Sequence, residues 1–131
     1  MMNLFMAVGE ILQTAGVGTL GEDLFIGTMP AEVKSAAMLR EPLAGAMIDD
    51  GHENFFNTEF QVIVRDPDPL AGYNRCLAIS QALRVNRMTD VANGVEISWM
   101  VPKTLPISYP KGTADDIEVS CRVSVGYGII S

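Results

Sequence analysis

Gly16-Val17-Gly18-Thr19-Leu20-Gly21 matches the GxGxxG spacing of dinucleotide-binding turns. In that motif, glycines let the backbone approach a pyrophosphate held at a helix N-terminus. The chemistry requires a strand before the glycines and a helix after them. Here a helical pattern comes first and a short apolar run follows, so the stretch reads as a helix-to-strand turn and no cofactor is expected. Asp49-Asp50-Gly51-His52-Glu53 gathers carboxylates around the only histidine, a set that calcium or zinc could use. It lacks the alternating ligands of a calcium loop and its glycine falls at the wrong place, so a solvated hairpin loop is the plainer reading and no metal is expected. A catalytic triad would have to use His52, and no GxSxG elbow accompanies it. Cys76 falls inside a helical pattern and Cys121 on the apolar side of a strand pattern, and neither belongs to a CxxC pair. Both read as buried thiols of a protein made in a reducing cytoplasm. Lys103, Lys111, Arg84 and Arg87 are too scattered to form a nucleic-acid stripe. A chain without an acid–base pair, metal cluster, phosphate loop or activated nucleophile is expected to be no enzyme and to act by shape and contact.

The elements that hold these residues follow from periodicity. Leu4, Phe5, Val8, Ile11, Leu12 and Ala15 fall on one stripe of a helix over residues 3–15, which the glycines from Gly16 end. Residues 23–27 read as a first strand closed by Pro30, and residues 36–43 as a second, with Pro42 at an edge or at the end. Residues 55–65 are the clearest strand. Phe56, Thr58, Phe60, Val62 and Val64 alternate there with Asn57, Glu59, Gln61, Ile63 and Arg65. Asp66-Pro67-Asp68-Pro69 breaks the strand, and Asp68 is placed to cap a helix opening at Pro69 and running to about Arg87. On that helix Tyr73, Cys76, Leu77, Ser80 and Leu83 share one side. Val95, Ile97, Trp99 and Val101 alternate with Glu96, Ser98 and Met100, and a last strand covers residues 117–127. Residues 102–115, with Pro102, Pro106 and Pro110, read as a loop. Strands with one polar face argue for an antiparallel sheet. The expected fold is α+β: a two-layer, mainly antiparallel β-sheet with two helices on one face, in the order α-β-β-β-α-β-β.

The bulk numbers agree with one domain over residues 1–131. Apolar residues make up 48% and charged residues 19%, enough to build a core. The formal net charge of -7 disfavours adhesion to phosphates or anionic lipid. The apolar start, Met1 to Val8, lacks the basic flank of a signal peptide, and Glu10 interrupts it. No apolar run approaches the roughly 20 residues that cross a bilayer, so a soluble chain is expected.

Ala15-Gly16-Val17-Gly18 after the first helix, the run Asp23-Leu24-Phe25-Ile26-Gly27-Thr28-Met29-Pro30, the stretch Leu43-Ala44-Gly45-Ala46-Met47-Ile48-Asp49 and the aromatic-led strand from Phe55 to Arg65 form an ordered pattern. It resembles the tail terminator proteins of tailed bacteriophages, also known as minor capsid or tail completion proteins. The resemblance covers about residues 3–87, and the two final strands by topology only. It implies a small α/β sheet with helices on one side. It also implies a homo-oligomeric, six-fold ring at the head-proximal end of the tail tube, assembled in the host bacterial cytoplasm into the virion. Such a ring ends polymerisation of the major tail tube protein, meets the head-neck connector, and in a contractile phage touches the sheath. DNA would pass through its lumen without specific binding.

A closed ring uses two unlike patches of each subunit, with loops and edge strands as suppliers. The expected interface residues are Met29 and Pro30, then Met47, Asp49, Asp50 and His52, then Lys103 and Lys111. Glu59, Gln61, Glu96 and Glu118 form a polar sheet face that would line the lumen, although Arg65 and Arg122 share the series and a solvated face explains it equally well. The alternatives are another neck or head-tail joining protein, such as an adaptor, and, from a different class, a small metal- or ligand-binding α+β domain using residues 49–53.

Overall fold

The computed structural model describes residues 2–41, 47–48, 55–85, 89–91, 94–110 and 117–129. The chain forms α1 (Met2–Thr14), β1 (Leu24–Ile26), β2 (Ala36–Arg40), β3 (Met47–Ile48), β4 (Phe55–Asp66), α2 (Pro69–Ala82), β5 (Thr89–Val91), β6 (Val95–Pro102), β7 (Ile107–Pro110) and β8 (Ile117–Ile129). The expected order of two helices and five main strands is present, with the short β3, β5 and β7 added. The class is α+β, and both helices cover the same face of a mainly antiparallel sheet.

The strongest alternation in the sequence makes the centre of the sheet. Strand β4 runs antiparallel to β8 without a break from Phe55↔Gly128 to Asp66↔Ile117. Outward from this pair the order is β1-β2-β4-β8-β6-β5, with β3 beside β4 and β7 beside β8. Each central strand therefore has an interrupted neighbour: β2 then β3 along β4, and β6 then β7 along β8. The β1–β2 pair is parallel, so residues 27–35 must return the chain from one end of the pair to the other.

Phe60, Val62 and Val64 of β4 and Val119, Cys121, Val123 and Val125 of β8 are buried on the inner face. Leu4, Phe5, Ala7, Val8 and Leu12 of α1 and Cys76, Ile79 and Leu83 from the α2 region close over them in one core. Each such aliphatic or aromatic side chain contributes roughly 1.5–3 kcal/mol on burial. Phe5 meets Phe60 edge-on, with ring centroids 5.7 Å apart. Asp68 caps α2 as its sequence suggests, accepting the Leu70 N–H at 3.1 Å, and Pro69 opens the helix.

Three local readings change. The helix expected to reach Arg87 ends at Ala82, because Val85 exchanges backbone hydrogen bonds with Met100 and so joins the sheet margin. Its buried stripe is Gly72, Cys76, Ile79 and Ser80, while Tyr73 and Leu77 are half-buried flanks. Gly72 sits over Val119, where a Cβ would lie 3.3 Å from the Val119 Cγ2, so the missing side chain lets the helix lie close to the sheet. The expected loop over residues 102–115 contains β7. Because β6 pairs only with the far half of β8, residues 117–120 would otherwise be left without partners on that side. Pro110 ends β7 and Pro106 precedes it, positions an edge strand tolerates. In β6 the register shifts between Ile97 and Trp99, so the faces exchange beyond that point: Met100 is buried inward, and Trp99 stands opposite Gly126 on the outer face. A bulge adds a residue to one strand and reverses the alternation after it.

Candidate assembly surface

The outer face of the sheet is polar by alternation but only partly open. Ile63 and Ser120, ladder partners near its middle, are 4% and 7% exposed. Next to them Arg65 is held almost buried, its side chain 11% exposed. Its guanidinium donates to the carbonyls of Pro30 at 2.9 Å and Val33 at 3.2 Å and lies 3.9 Å from a Glu118 carboxylate oxygen. Arg65 thus straps the crossover of residues 27–35 onto the outer face. At the same end Arg75 reaches from α2 to the Asp23 carboxylate at 3.2 Å and its carbonyl at 3.0 Å, fixing the start of β1.

Further along the face Arg122 lies 3.8 Å from Glu59, with both side chains well exposed. Arg40 shares the face too, opposite Gln61. Trp99 covers Gly126 so closely that an added Cβ would collide with the indole Nε1. On the opposite face the Cys76 thiol donates to Cys121 Sγ at 3.5 Å. That bond, together with burial, pushes Cys76 well above the ordinary thiol range and, accepted by Cys121, lowers the Cys121 thiol; both cysteines are free and buried in the core. Burial and the Glu41 charge likewise raise the Tyr127 phenol.

Glu59, Gln61, Glu96 and Glu118 all lie on this outer face. Arg40, Arg65 and Arg122 accompany them, so these carboxylates and guanidiniums balance. Met29 and Pro30 are half-buried in the strapped crossover on the β1–β2 side. Lys103 is exposed on the far side of β4 and β8, its N–H bonded to the Arg122 carbonyl at 2.8 Å. The expected contact residues therefore separate onto two margins of the sheet. Met47 is in β3, paired with Asn57, whereas Asp49, Asp50, His52 and Lys111 lie outside the described residues. Among the described residues no three His, Cys, Asp or Glu side chains cluster as metal ligands. None of their helices is long and apolar enough to cross a membrane.

Sequence reasoning missed Leu105 and Ile107, which are 71% and 58% exposed at the β7 margin. Two aliphatic residues inside a proline-rich stretch were the available signal, hidden by reading that stretch as a loop. It also missed the strap made by Arg65, because nothing local ties that residue to Pro30 and Val33.

The sequence model of the family described as bacteriophage tail terminator protein matches residues 11–122. The chain belongs to this family. It is a structural protein of the phage tail, and its place is in the virion among other virion proteins. Among solved structures, the tail terminator is similar to a chain from the virion of a native gene transfer agent particle. The TM-score is 0.70 at 14% identity, covering 94% of this chain and 92% of that one, a likeness that shows a shared fold. No curated protein matches the chain.

Proposed function

We propose that this tail terminator forms a six-fold homo-oligomeric ring that caps the head-proximal end of the tail tube. The ring ends polymerisation of the major tail tube protein and offers its other rim to the head-neck connector. It assembles in the host bacterial cytoplasm and, if the tail is contractile, its periphery meets the sheath. The observation that carries this reading is the family match over residues 11–122. Supporting it, exposed or strapped loops occupy two unlike margins of the sheet, which suits the heterologous contacts of a closed ring. The role is non-catalytic and requires no metal or cofactor.

The outer sheet face, with Glu59, Gln61, Glu96 and Glu118, lines the lumen in this reading. Its arginines offset its carboxylates, so DNA meets a wall without a strong attractive or repulsive field and slides past. The test is negative-stain electron microscopy of the protein mixed with assembled tail tubes. The expected result is six-fold density on one end of each tube, and His52→Ala should assemble in the same way. Binding to portal-containing heads instead of tubes would move the protein to the connector. Binding to neither, with a melting temperature that rises on adding a divalent metal, would favour a ligand site at residues 49–53.

A further inference from the structure

Leu105 is a large aliphatic side chain turned to solvent at the start of the β7 margin, and Ile107, opposite Ser120, is exposed on the outer face of the sheet. Strand β7 pairs with β8 on one side, and among the described residues its other edge has no ladder partner. Exposed Lys103 precedes Leu105, and the Thr104 hydroxyl accepts the Arg122 N–H at 3.0 Å, which fixes the base of the projection. Here an apolar knob stands on a firm base with a positive charge at its flank.

The opposite margin carries a hollow of matching character. Glu10, Ile11, Thr14 and Ala15 line an open groove of about 330 Å³ at the C-terminal end of α1. This end is tied to the β1 edge: the Gln13 side chain accepts the Leu20 N–H at 2.8 Å, and Leu20 bridges to Leu24. Strands β2, β4 and β8 separate the two margins, roughly 19 Å at the usual interstrand spacing of about 4.8 Å. Ile11 and Ala15 make the groove apolar, and Glu10 gives it a negative flank.

We propose that Leu105 of one copy of this chain seats in the Glu10–Ile11–Thr14–Ala15 groove of the next copy, with Lys103 facing Glu10 across the joint. This inference rests on the ring reading above and supplies its subunit contact. A second copy is the occupant because the chain carries both halves, apolar against apolar and cation against anion, on opposite margins. A head-to-tail contact of two unlike patches repeats from copy to copy and closes when the rotation allows. The desolvated Leu105 side chain supplies the attraction, and the charges set which end of the groove meets the β7 margin.

The experiment uses the full chain carrying both Thr14→Cys and Leu105→Cys, oxidised with diamide in the presence of assembled tail tubes. A denaturing gel should show a ladder of cross-linked multimers with the double variant and monomer with either single variant. Ring density in microscopy should fall at least tenfold for Leu105→Asp and for Lys103→Glu. Adding Glu10→Lys to Lys103→Glu should restore it. Thr14, Lys103 and Leu105 are exposed and Glu10 is half-buried, so melting temperatures should stay within a few degrees of the parent and show that the fold is intact. Rings on tubes with no ladder and an unaffected Leu105→Asp variant would overturn this contact while leaving the ring reading in place. Absence of rings from every preparation, the parent included, would overturn both.

Discussion

The two faces of the central β4–β8 pair come from the same alternation, yet they are sealed in different ways. The inner face is closed by apolar side chains of α1 and α2, so every second residue from Phe60 to Val64 and from Val119 to Val125 is buried. Among the described residues, the outer face is closed where Arg65 holds the crossover of residues 27–35 through Pro30 and Val33 and where Trp99 lies on Gly126. Elsewhere it keeps exposed charges such as Glu59 and Arg122. The hydrophobic effect is non-directional and tolerates helices in many poses, whereas a strap made of hydrogen bonds works only at one geometry. The inner face therefore holds the fold together, and the outer face decides which surfaces remain available for assembly.

The comparison is sharpest at adjacent residues of β4. Val62→Asp places an uncompensated charge in the inner core and should cost on the order of 3–5 kcal/mol, enough to abolish soluble expression. Gln61→Glu, one position along and on the outer face, should express normally. Normal folding of Val62→Asp would break the assignment of faces. On the outer face, Gly126→Ala should destabilise by about 1–3 kcal/mol because the indole must move. Since Trp99 is the only tryptophan, intrinsic fluorescence would register the shift directly, and an unchanged emission spectrum would contradict the close contact.

Arg65→Ala should lower stability by about 1–3 kcal/mol through loss of its bonds to Pro30 and Val33. Hydrogen exchange of residues 27–35 should quicken while that of β8 is nearly unchanged. Uniform quickening would mean that the strap is part of the core. Glu59→Gln, at an exposed ion pair, should change stability by less than about 0.5 kcal/mol in urea titration. A larger loss would show that this pair is shielded from solvent.

The titration of stability with pH should be flatter still near neutrality. Burial raises the folded-state pKa of Tyr127 above its ordinary value, whereas the Cys76–Cys121 bond raises one thiol and lowers the other, two contributions of opposite sign. The phenol's contribution is fully present below its unfolded value of about 10 and is lost as pH rises beyond it. The midpoint of denaturant unfolding should hold from pH 6 to about 8 and decline in alkali. A decline starting below pH 7 would contradict the buried, protonated phenol.

Much of the fold was legible because period and burial go together. A helix needs one apolar stripe and a half-buried strand needs alternation, so Leu4 to Leu12, Phe56 to Val64 and Val119 to Val125 announced both their elements and their inner faces. The Asp68–Pro69 start of α2 was local chemistry and equally readable. The exchange of faces at Trp99 was not readable, because an inserted residue is visible only against the strand it pairs with. Nor was β7, whose residues pair because β8 has unmatched backbone groups and not because of strong propensity of their own. Met29, Pro30 and Lys103 stand in the sequence as expected contacts, and their separation onto two margins depended on sheet order.

What the sequence determined by itself was the set of elements, the polarity of each face of the two central strands and, through the ordered pattern from Ala15 to Arg65, the family. These rest on interactions between near neighbours along the chain, which leave a periodic mark. Only the tertiary structure decided that Arg65 would pin residues 27–35, that Cys76 would meet Cys121, and that exposed Leu105 and the groove at the end of α1 would lie at opposite margins of the sheet. Those juxtapositions join residues far apart in the chain, and strand order and register, which no local pattern encodes, bring them into place.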